Sequence, residues 1–152
     1  TQSTLIEATP VDRELGVLAA LALQSHEVLD FLCDQTEQVL IGAEGREGET
    51  LLREILSTRP EVPDPAAVNT FLQGLSPGDR SSLLTLLEEP ETSAPLAVAA
   101  EILGVLAEQG ILRELGALGA QLKSPEIDDR ESREIMERIT ELQRIRSEAK
   151  NS

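Results

Sequence analysis

Apolar residues recur along this chain at three- and four-residue intervals with almost no two-residue alternation, a pattern that predicts helices and leaves little room for strands. In "ATPVDRELGVLAALALQ" the spacing predicts a helix over residues 10 to 24, with Thr9 as N-cap, Pro10 in the first turn and Asp12 facing its free amides. Ser25 then offers a second N-cap for "HEVLDFLCDQ", so the two segments form a helical corner. "TEQVLIGAEGREGETLLREILSTRP" predicts a short helical piece, a glycine-rich turn and a helix over 47 to 58 that stops before Pro60. Asp64 before Pro65 and Ser76 before Pro77 mark two further helix starts, the second with Asp79 in its first turn.

The C-terminal third is organised differently. Residues 94 to 123 predict one helix of roughly 45 Å at about 1.5 Å per residue. Leu96, Ala99, Leu103 and Leu106 form one stripe, and after Gly110 the stripe restarts out of phase as Ile111, Leu115, Leu118 and Leu122, so Gly110 is expected to bend the helix or shift its phase. "SPEIDD" makes a turn, and a last helix carries Ile135, Ile139, Leu142 and Ile145 at helical spacing. The expectation is an all-α fold: a compact multi-helix lobe over 1–93, able to fold without the rest, then over 94–152 a long helix and a C-terminal antiparallel helical hairpin.

Composition agrees. Leu, Ala, Ile and Val supply nearly all of the 40 % hydrophobic residues, and Phe31 and Phe71 are the aromatics. No uninterrupted apolar run approaches the roughly 20 residues of a membrane span, and no signal-peptide pattern opens the sequence, which predicts a soluble, cytoplasmic protein. The lone Cys33 fits a reducing compartment. Charge divides the chain: of a net −15, residues 1 to 110 carry −14 and residues 111 to 152 carry −1. So acidic a front half repels phosphate, and without Trp or Tyr there is no base-stacking platform, so no direct nucleic-acid binding is expected.

Candidate chemistry is sparse. His26 has no second histidine to join it, and with Cys33 and carboxylates alone it would make an unusual zinc site, so both residues read as structural. "GAEGREGE" lacks the Lys-Ser or Lys-Thr of a phosphate loop, and Glu44, Glu47 and Glu49 would repel a phosphate. "LLEEPETS" lacks the spacing of a calcium loop. Serine-histidine catalysis would have to use His26, and no neighbouring residue suggests it. No catalytic residue, metal or cofactor is therefore expected. The residual signal is apolar: Met136 lies beside the Ile135 to Ile145 stripe, flanked by Arg138 and Arg144, in a hairpin with one partner face to cover it.

The order of short capped helices, a long helix and a terminal hairpin, with "LGVLAALALQSHEVLDFL" near the start and "IMERITELQRIRSEA" at the end, resembles the C-terminal helicase-binding domain of bacterial DNA primase (DnaG). The resemblance covers nearly the whole chain. Members commonly read Leu-Leu-Gln-His-Pro-Glu-Leu at the first corner; Leu23, Gln24, Glu27 and Leu29 suit that pattern, while Ser25 and His26 stand where His-Pro would be. It implies a non-catalytic segment of a primer-making polymerase. Its partner would be the N-terminal domains of the hexameric replicative helicase DnaB, which brings primer synthesis to the fork. It also puts helicase contact on the hairpin, where the near-neutral charge and the limited surface covering the stripe point as well; the contacts expected there are Ile135, Met136, Ile139, Leu142 and Ile145 as apolar groups, with Arg138 and Arg144 orienting them. The competing readings are an N-terminal-type domain of the helicase itself, similar to the lobe alone, and a carboxylate-rich metal- or ligand-binding helical domain. The long hairpin favours primase.

Overall fold

The computed structural model describes residues 13–150 apart from 63, 90 and 91, and among these the fold is all-α, with eight helices and no strand. The helices are α1 (Arg13–Gln24), α2 (His26–Asp34), α3 (Thr36–Ala43), α4 (Glu49–Thr58), α5 (Pro65–Gln73), α6 (Pro77–Leu87), α7 (Pro95–Leu122) and α8 (Asp129–Lys150). The start expected for the first helix, at Thr9, Pro10 and Asp12, lies outside the described residues.

Local signals set most of the boundaries. Ser25 caps α2 by accepting a hydrogen bond from the Val28 amide at 3.4 Å, and Ser76 caps α6 by accepting from Asp79 at 3.3 Å. Asp64 differs from expectation: its side chain makes no capping bond, and Pro65 alone marks the start of α5. Between α3 and α4 the chain turns on Gly45 and Gly48, at φ 75° and 115°, which only glycine adopts without strain. Glu49 closes that turn by accepting from the Gly45 amide at 3.2 Å. α4 ends in a left-handed Arg59, just before Pro60 forbids continuation.

α1 is the centre of the lobe. Leu15, Leu18, Ala19, Ala22 and Leu23 are all buried, so the helix is covered nearly all round, by α2, α4, α6 and α7. Phe71, Leu72 and Leu75 at the end of α5 and Leu83 of α6 close the same core. Ala99, Leu103 and Leu106 of α7 belong to it as well, so the core crosses the boundary expected between residues 93 and 94. Leu96, expected in that stripe, is exposed instead, while Val98 in the same first turn of α7 packs against the lobe core.

α7 is one unbroken helix of 28 residues. Gly110 does not interrupt it; its role is contact. A Cβ there would run into the backbone carbonyl of Ile41, and one at Gly42 would meet Leu106 Cβ at 3.0 Å. The two glycines thus let α3 and α7 cross with their backbones almost touching. By length and composition α7 is also apolar enough to cross a membrane, with a mean hydropathy of 1.5 over an 18-residue window. In the folded chain it lies partly inside the protein, with Leu103, Leu106 and Ile111 fully covered.

Candidate partner-binding surface

α8 runs back along α7 in the opposite direction. Arg146 pairs with Glu108 and Arg138 with Glu114, so one helix advances in sequence as the other retreats. The apolar stripe closes this hairpin: Leu142 and Ile145 are at most 1 % exposed and meet Ile111 of α7 and Ile41 of α3, with Leu115 and Leu118 packed against them. Ile135 is also buried, and Ile139 is half-buried. Three of the seven residues expected to meet a partner, Ile135, Leu142 and Ile145, are therefore already covered by the chain itself. Burying each such side chain is worth roughly 1.5–3 kcal/mol.

The two arginines are engaged too. Arg138 holds the Glu114 carboxylate with Nε at 2.7 Å and Nη2 at 3.0 Å, a two-pronged bond that pushes the guanidinium further up from its ordinary value. Arg144 reaches three carboxylates: Glu148 at 2.7 Å, Glu141, and Glu37 of α3 at 3.2 Å. Its hydrogen bond holds Glu141 below the usual carboxylate range, and the cluster ties α8 to the lobe. Arg113, donating to the Glu44 carbonyl at 3.1 Å, adds a further tie from α7.

The opposite face of α8 is uncovered. Met136 is 50 % exposed, with exposed Arg133 one turn before it and exposed Thr140 and Gln143 beyond. The Thr140 hydroxyl donates to the Met136 carbonyl at 3.0 Å, and the face presents the methionine thioether and the Arg133 guanidinium together with the exposed carboxylates of Asp129 and Glu137. Arg133 makes no ion pair within the described residues, and the sequence reading passed over it. Its position three residues before Met136 was the available signal. At the closed end of the hairpin a cleft of about 310 Å³ runs between Gln121, Ser124, Glu126, Ile127, Glu131 and Ile135.

His26 is exposed and its Nδ1 sits 3.1 Å from Asp30 one turn on. Cys33 packs against the lobe core, and burial pushes its thiol up from the ordinary value, away from the reactive thiolate. Among the described residues no three of His, Cys, Asp and Glu stand close enough to hold a metal ion. The chain matches no family model, no curated protein and no solved structure.

Proposed function

We propose that this chain is the helicase-docking domain of a bacterial DNA primase, acting in the cytoplasm at the replication fork. It binds the N-terminal domains of the hexameric replicative helicase DnaB and so couples RNA primer synthesis to unwinding. In this reading the domain contributes docking and no chemistry of its own; the polymerising activity belongs to other parts of the primase. The reading rests on the order of the two quoted segments and is carried by one observation. The outer face of α8 leaves Met136 half exposed beside Arg133, while the inner face is spent on closing the hairpin. An apolar side chain next to a free cation suits a protein partner that offers a pocket edged by carboxylates.

Within this reading the stripe and the arginines divide the work. Ile135, Leu142 and Ile145 hold the hairpin shut, Arg138 and Arg144 fix it in place, and Met136 with Arg133 makes the contact. The test is hydrogen exchange of the chain with and without a bacterial replicative helicase's N-terminal domain. Slowed exchange centred on residues 130 to 140 is expected; slowing confined to the lobe would move the contact there.

A further inference from the structure

α7 has one face that neither the lobe nor α8 covers. Val105 is 52 % exposed on it and Leu112 is 48 % exposed, and at a spacing of seven residues the two lie one above the other. Stepping on from Leu112 by helical spacing, the face reaches Gly116, Gly119 and Lys123; stepping back, it reaches Glu108, Val105 and Glu101. These positions stand four, seven and eleven residues to either side of Leu112, so the stripe is symmetric about it.

The two halves of the stripe complement each other. A Cβ at Gly116 or Gly119 would meet nothing within 4 Å, so the second half is low where the first half carries Val105. Glu108 is held by Arg146 of α8, which leaves the two ends of the stripe to set its charge. Glu101 at one end and Lys123 at the other are both exposed, and neither has an ion-pair partner within the described residues.

We infer that this face of α7 pairs with the same face of a second copy of the chain, antiparallel, about a twofold axis at Leu112. Each residue then meets the one equally far beyond the axis. Leu112 packs on its own counterpart, Val105 enters the low ground at Gly119 of the second copy, and Glu101 faces Lys123 of the second copy on both sides of the axis. A parallel pair would set Glu101 against Glu101 and Lys123 against Lys123, so charge selects the antiparallel one. The net charge of −15 resides mainly in the lobe, which packs on Ala99, Leu103 and Leu106, and the twofold carries the two lobes to opposite ends of the paired helices. The matched order of charge and height along one stripe is what favours a second copy over an unrelated helix. The inference does not depend on the primase reading, since the stripe uses no residue of α8.

Sedimentation equilibrium of the intact chain over a range of concentrations should show reversible dimers, with NMR shifts on dilution concentrated at residues 101 to 123. Leu112→Gln keeps the net charge and should weaken association about tenfold or more, as losing an interface anchor does, with circular dichroism unchanged. Glu101→Lys and Lys123→Glu should each weaken it about tenfold, by turning two attractive pairs into repulsive ones. An equimolar mixture of those two variants should regain the parent's association, because every pair across the axis is again of opposite sign; the mixture recovers only if both variants fold. Tighter association of Glu101→Lys alone would mean that overall repulsion governs and would overturn the inference. So would a chain that stays monomeric, dilution shifts mapped elsewhere, or a mixture that associates no better than its components.

Discussion

Gly110 and Gly116 sit in the same helix, six residues apart, and should respond to alanine with opposite signs. At Gly110 a Cβ meets the Ile41 backbone carbonyl, which cannot step aside as a flexible side chain would. Overpacking of that kind costs about 1–3 kcal/mol and outweighs the roughly 1 kcal/mol that alanine gains over glycine in helix propensity. At Gly116 a Cβ meets nothing within 4 Å, so only the gain remains. Denaturant unfolding should therefore show Gly110→Ala less stable and Gly116→Ala more stable than the parent. The sequence offered no means of telling these glycines apart, because their difference lies in α3, seventy residues away in the chain, and not in their neighbours. Glu141 supplies a pH prediction at the same scale. Its folded pKa is lowered from 4.5 by the Arg144 hydrogen bond, so its contribution is complete above the ordinary value and is lost as pH falls through the lowered one. Acid titration followed by NMR should show Glu141 protonating later than an ordinary glutamate, and Arg144→Ala should bring it back.

Along α8 the period of the apolar residues was legible, and so was the face they define; which face would be covered was not. Periodicity places Ile135, Leu142 and Ile145 on one side of the helix, but only the packing of α3 beside Gly110 determines that this side is filled from within. Leu142→Ala should accordingly cost about 2–5 kcal/mol by leaving a cavity among Ile41, Ile111 and Ile145. Met136→Ala, at a half-exposed position, should leave thermal unfolding within about 0.5 kcal/mol of the parent. Arg144→Ala loses its tie to Glu37 on α3 together with two bonds within α8, each an exposed pair worth at most about 1 kcal/mol. The end of α8 should loosen in hydrogen exchange while the lobe stays protected.

For the whole molecule, helix order and the terminal hairpin could be read from caps, prolines and periodicity, because those signals are local. The extent of the core could not, since α7 serves two partners along its length: Ala99, Leu103 and Leu106 fill the lobe, while Ile111, Leu115 and Leu118 face the hairpin. A chain ended at residue 93 should lose cooperative melting, whereas one ended at residue 110 keeps those three lobe residues and should retain more of it. The proposed docking depends on the face of α8 that the fold leaves open. Calorimetric titration with the replicative helicase's N-terminal domain should give saturable binding for the intact chain. Met136→Ala should bind roughly thirtyfold more weakly, the effect of removing an interface anchor worth about 2 kcal/mol. Binding as tight by the chain ended at residue 110, or no binding by the intact chain, would contradict docking through the hairpin.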